Sequence, residues 1–168
     1  MTISMYQASA PRFVNILKNL SGILDKAQAH AETKKIDPKV LTAYRLFPDM
    51  FPMARQVQVA CDTAKGACAR LAGVEIPKHE DTEQTFAELK ERIARTIEFI
   101  GTIKPAQIDG TEDKEIVLKL GGREVTFKGM QYLFGHALPN FYFHVTTAYN
   151  ILRHNGVDIG KRDYIGTP

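Results

Sequence analysis

A histidine on the inner face of a helix is either half of a site or a hydrogen-bonded core residue. This chain places one at position 144, inside PNFYFHVTTAYNILRHNG, residues 139–156. Pro139 suits the first turn of a helix, where its missing N–H costs nothing. Gly156 suits the residue just past the end. Between them Phe141, Val145, Ala148, Ile151 and Leu152 recur at helical spacing, and His144 falls beside that stripe, one turn before Ala148. Gln56, Asn140 and Tyr149, with Tyr6, are the polar side chains that could share a pocket with it. His136 precedes His144 by eight residues. In a continuous helix that is about 12 Å of rise, too far to share one ion. A break at Pro139 would shorten the distance, which leaves a His136–His144 divalent-metal site as an alternative.

The other reactive side chains carry less. His30 lies near a helix end, His79 in a loop, and His154 in a last helical turn, where the helix dipole accounts for it. Cys61 and Cys68 are seven apart in one helical segment. That is about 10 Å along the axis, beyond the reach of a disulfide within the helix. They read as buried free thiols in a reducing compartment. No Ser-His-Asp or Cys-His arrangement can be assembled. Arg45, Arg55 and Asp49 could hold an anion, but local ion pairs around a helix start explain them better.

The chain that must position these residues has 168 residues and a formal net charge of +3. That length suits one domain, residues 1–168, with a core large enough to need no staples. The basic residues are scattered, which argues against a nucleic-acid surface. No run resembles a signal peptide or reaches membrane-span length, so the expected location is cytoplasmic.

A first helix is predicted over Ser4–Glu32, with Pro11 either bending it or separating a short N-terminal turn. Asp37-Pro38 starts a short helix through Tyr44. Asp49 is expected to cap a second long helix, Met50–Ala72, ended by Gly73 and lined with alanines. Thr85-Phe86-Ala87-Glu88 reads as a capping box opening a third helix, Phe86–Thr102. Its Lys90, Glu91 and Arg92 read as a solvated face. KPAQIDGTEDK is expected as an exposed connector. EIVLKL-GG-REVTFK alternates on both sides of Gly121-Gly122, the signal of a two-residue β-hairpin. Residues 129–137 are a helical lead-in, and Pro139 is expected to restart the helix. The tail from Val157 reads as irregular, docked by Val157, Ile159, Tyr164 and Ile165.

MYQAS, RLFPDMFPMARQVQVACDTAKGACARLAGVEIP and LPNFYFHVTTAYNILRHNGVDIGKRDY together resemble the DinB/YfiT-like superfamily of helical bundles, in a branch catalogued as a domain of unknown function. The resemblance spans nearly the whole chain. It implies an all-α fold: a four-helix up-down bundle with a small β-hairpin inserted between the third and fourth long helices. Members of the wider superfamily typically hold a divalent metal with one histidine from the second helix and two, four residues apart, from the last. Here His144 matches one of them, Ala148 stands where the other is expected, and Gln56 is the polar residue nearest the second-helix position. One histidine and one amide make a poor transition-metal site. The expectation is therefore a small-molecule-binding or interaction protein with a degenerate metal site, forming a homodimer. The alternative is a DinB-like metal-dependent hydrolase or thiol transferase with an atypical site around His144.

Overall fold

Short polar side chains and prolines set where most of the helices begin. The computed structural model describes residues 3–166. Ser4 caps α1, Met5–Ala8, by accepting from the Gln7 N–H. Ser9 then leaves helical geometry (φ −116°, ψ −86°), and α2 runs over Ala10–Lys34 with Pro11 in its first turn. The expected helix over Ser4–Glu32 is thus two helices. Pro11 has no N–H to continue the ladder, so the break falls just before it. Asp37 caps α3, Pro38–Ala43, by accepting from the Lys39 N–H at 2.9 Å.

The second long helix, α4, spans Met53–Ala72, three residues later than expected, and Asp49 does not cap it. Pro52 holds the N-cap position in extended geometry (ψ 163°). A proline also disfavours helix in the residue before it, so the helix starts only after Pro52. Gly73, at φ +72°, closes α4 in the left-handed conformation that favours glycine. Thr85 and Glu88 satisfy each other's backbone donors at the start of α5, Phe86–Thr102. The following connector is not wholly exposed. It contains α6, Pro105–Ile108, with Ile103 and Ile108 buried.

β1, Glu115–Leu120, pairs antiparallel with β2, Arg123–Lys128, in a register that sets Leu120 opposite Arg123. Gly121 (φ +55°) and Gly122 (φ +83°) make the turn, which needs positive φ at both residues. Ile116 and Leu118 point into the core. The hairpin is held at its base by α7, Gly129–Tyr132, where the Met130 N–H donates to the Glu112 carbonyl at 2.9 Å. Gly129 passes so close to the connector that a Cβ there would lie 2.0 Å from the Thr111 carbonyl oxygen.

From α7 the chain continues through a π-helical turn, Leu133–Ala137, into α8, Leu138–His154, without leaving right-handed helical geometry. Pro139 therefore does not restart the helix. The wider turn, in which the Leu138 N–H reaches back to the Leu133 carbonyl, accommodates a residue that cannot donate. The tail is more ordered than expected. It forms α9, Lys161–Ile165, tied to α2 by Lys26–Asp163 (2.7 Å) and by Asn19 Nδ2 donating to the Tyr164 carbonyl (3.0 Å). Val157 and Ile159 are buried, whereas Ile165 is exposed. Thr167 and Pro168, also read as part of this tail, lie outside the described residues.

The protein is thus mostly helical with one small hairpin. α4 packs against both α5 and α8, and α2 packs against α5 and α9. Phe13 of α2 meets Phe141 of α8 edge-on at 4.9 Å. Ala60, Ala64, Gly66 and Ala67 let neighbours approach α4 closely, and the helix buries even Gln56, Gln58 and Lys65. Cys61 and Cys68 are free and buried, and burial pushes each thiol up to about 12. Among the described residues no helix is long and apolar enough to cross a membrane.

Candidate functional site

Gln56 and His144 face each other across the α4–α8 contact, 1 % and 7 % exposed. The late start of α4 matters here. The Phe51 carbonyl stays outside the helix and accepts from Gln56 Nε2 at 2.9 Å. That bond turns Gln56 Oε1 toward α8, where it lies 2.7 Å from His144 Nδ1. An amide oxygen can only accept, so Nδ1 carries the proton and Nε2 keeps its lone pair. Burial, then the charge of Arg55, hold the imidazole below its ordinary pKa of 6.5. The ring is neutral at pH 7.

The surroundings are aromatic. Phe51 stacks over the imidazole (6.5 Å between centroids, 23°), and Phe143 meets it edge-on (5.2 Å, 84°). Arg55 lies over the other ring of this group, 5.7 Å from the Phe51 centroid. Phe51, Phe143 and His144, with Asp49, Met50 and Gln56, line a pocket of ≈ 200 Å³. A neutral imidazole of fixed tautomer can accept a hydrogen bond, take a proton or ligate a metal. A transition metal needs more donors than this pocket offers. Asp49 is the one further carboxylate in it. Among the described residues no three His, Cys, Asp or Glu side chains gather closely enough to hold an ion. Ala148 is fully buried one turn after His144.

The other sequence candidates go elsewhere. Asn140 donates from Nδ2 to the Thr63 hydroxyl at 2.9 Å. It lines a separate cleft with Tyr132 and His136, and His136 stacks on Tyr132 (6.0 Å, 23°). His136 and His144 thus line different cavities, and the widened turn before Pro139 does not bring them together. Tyr149 is half-buried against the tail, edge-on to Tyr164 at 6.0 Å, and does not line the His144 pocket. Tyr6 lies beside α6, its N–H donating to Asp109. Arg45 spends its guanidinium on the Pro48 and Met50 carbonyls, and Arg55 pairs with Asp81.

Sequence reasoning missed one polar centre. Arg92 is not on a solvated face but fully buried. It donates to Glu83 (3.0 Å), Asp62 (2.8 Å) and the Glu80 carbonyl (3.0 Å), and lies 3.0 Å from Asp81. Glu83 also accepts from Gln58 Nε2 at 3.1 Å, and Asp62 pairs with Lys65 at 2.9 Å. A signal was present. Arg92 is three residues after Leu89 and four before Thr96, both buried, so it occupies the apolar stripe.

A family model described as a domain of unknown function (DUF1993) matches residues 5–165. No curated protein matches the chain. Among solved structures, the crystal structure of a DinB family member protein from Shewanella denitrificans is similar. Its TM-score is 0.88 at 45 % identity, covering 97 % of this chain and 92 % of that one.

Proposed function

Since the chain belongs to the DinB-like branch described as a domain of unknown function (DUF1993), a membership that fixes no activity, we propose that it binds a small organic molecule at the His144 pocket. The ligand donates a hydrogen bond to His144 Nε2 and lays a planar apolar body against Phe51 and Phe143. The single observation behind this reading is the Phe51 carbonyl–Gln56–His144 relay, with its 2.7 Å bond at Nδ1. It pre-orients one acceptor at an apolar pocket, the usual make-up of a small-molecule site. In this reading α2, α4, α5 and α8 are the four members of an up-down bundle, and the buried free thiols suit a reducing, cytoplasmic setting.

Phenol is the probe. Titrated at pH 7 and followed through the His144 ring ¹⁵N resonances, it is expected to shift Nε2 and leave Nδ1 in its protonated form. Protonation of Nε2 removes the acceptor. Because the imidazole is held below 6.5 by burial and Arg55, phenol affinity holds at neutral pH and falls as pH drops below that value. Gln56→Leu frees the tautomer and is expected to weaken binding. Phenol that binds equally well to the His144→Ala variant sinks the proposal.

A metal-dependent hydrolase or thiol transferase is the second reading. What favours it is that metal-bound histidines usually have their other nitrogen hydrogen-bonded, as Nδ1 is here. Stoichiometric zinc retained by untagged protein and lost in His144→Ala would replace the first reading with this one.

Self-association accompanies the main proposal. Ile3, Met130 and Phe134 are exposed around a groove of ≈ 330 Å³ rimmed by Arg12 and Glu112. A two-fold axis through such a patch presents the same cation and carboxylate twice, so each can meet its opposite. Sedimentation at micromolar concentration is expected to give a dimer for the native chain and a monomer for Phe134→Glu. A native monomer ends this part.

A further inference from the structure

The Arg92 cluster carries more positive than negative charge. Arg55, Lys65, Arg92 and Arg95 face Asp62, Asp81 and Glu83. Beside it lies a cleft of ≈ 560 Å³ lined by Asp62, Lys65, Arg70, Lys78, His79 and Glu80, with Gly66 in its floor. His79 reports the local field. Its pKa is lowered first by burial and then by Lys65, Arg92 and Arg95.

Lys65 and Arg70, two of the three cations lining this cleft, hold unspent donors. Lys65 is 3 % exposed, yet among the described residues one of its three N–H groups is used, on Asp62. A buried ammonium with free donors is expensive unless something else bonds it. Arg70 donates from Nη1 to the Tyr132 hydroxyl at 3.2 Å and, among the described residues, pairs with no carboxylate. The Arg70 guanidinium folds back over Gly66, where a Cβ would lie 2.5 Å from Nη1. Glycine in mid-helix is less stable than alanine. Here it makes room for the guanidinium.

Arg70 and Asp62 also line the adjoining cleft of ≈ 360 Å³, with Leu118 and Leu120 of the hairpin, Tyr132, His136 and Asn140. Arg70 is therefore the shared wall between a cationic lobe and an aromatic one. The Asp62 carboxylate does not block an anion, because Arg92 and Lys65 already neutralise it. Glu80 is the one carboxylate lining the cationic lobe outside those pairs.

We propose that this two-lobed cleft binds a small aromatic oxyanion, its charged head between Arg70 and Lys65 and its ring against Tyr132 and His136. Carboxylate and phosphate ester heads share that chemistry, so benzoate and phenyl phosphate are the two probes. Benzyl alcohol is the neutral control. Each is titrated into the full chain by calorimetry and by amide chemical shift.

Saturable binding of either anion is expected, with shifts centred on residues 65–70 and 132–136 and with benzyl alcohol at least about tenfold weaker. The stronger of the two anions identifies the head group. Arg70→Gln removes charge-assisted bonds and is expected to weaken binding by about tenfold to a hundredfold. Gly66→Ala keeps every charge but displaces the guanidinium, so it should weaken binding while the unfolding midpoint stays level or rises. That variant decides the matter if Arg70→Gln fails to fold. His144→Ala, in the other pocket, should leave anion affinity unchanged. Benzyl alcohol binding as tightly as the anions, shifts centred elsewhere, no saturation by either anion in the millimolar range, or native affinity in Gly66→Ala each overturns the proposal.

Discussion

Arg92→Ala is expected to lower stability by about 3–5 kcal/mol, the usual cost of removing one partner from a buried ion pair. Arg92 is fully buried, and the Glu83 side chain opposite it is 5 % exposed. Without the guanidinium, that carboxylate has Gln58 Nε2 at 3.1 Å and the half-exposed Arg95 at 3.5 Å to compensate it. The Glu80 carbonyl loses its donor at the same time. Domains of this kind are stable by roughly 5–15 kcal/mol in total, so the loss consumes a large share. At about 2–4 °C per kcal/mol, the melting temperature should fall by roughly 6–20 °C. Denaturant titration measures the effect directly. A change under about 1 kcal/mol would show that the cluster behaves like a surface ion pair and does not pin residues 80–83 to α4 and α5.

Gly129→Ala is expected to be destabilising by about 1–3 kcal/mol or somewhat more, because the clash is with backbone and cannot be relieved by a rotamer change. The Cβ would sit 2.0 Å from the Thr111 carbonyl oxygen and 3.4 Å from Leu71. Relief requires the connector before β1 to move away from the start of α7, which breaks the Met130–Glu112 backbone bond. Hydrogen exchange should therefore speed up first in residues 111–130, before the long helices are affected. Gly66→Ala offers the contrast, since its close neighbour is the mobile end of Arg70 and a small gain in helix stability is the expected outcome. Equal thermal midpoints for native and Gly129→Ala protein would contradict the packing described at the hairpin base.

What could be read from the sequence follows from the range of each interaction. Thr85 with Glu88 and the Gly121-Gly122 turn were legible because their partners are within a few residues, and local chemistry decides them. Asp49 is a good capping residue by type, but the proline three positions later sets where α4 can begin. The π-turn before Pro139 was not legible. Periodicity locates a helix but does not show how the ladder steps around a missing donor. His144 and Gln56 could be named because both lie at helical spacing next to apolar stripes. Their shared hydrogen bond spans 88 residues of sequence, and its polarity depends on a third group, the Phe51 carbonyl. Arg92 was misread by residue type. Its position matched a buried stripe, but its partners Asp62, Asp81 and Glu83 come from α4 and from a loop whose path the sequence does not reveal.

The two cysteines acquire a use from their burial. Alkylating reagents attack the thiolate, and at neutral pH a thiol held near 12 supplies almost none. Cys61 and Cys68 are also sealed from reagent, at 0 % exposure. Each modification event therefore records a moment when the core around α4 has opened. The protein contains its own clock for large-scale breathing, one whose rate follows the open population of the undenatured chain when reclosing outpaces modification. Any ligand that favours the closed form should slow that clock, whichever of the two cavities it occupies.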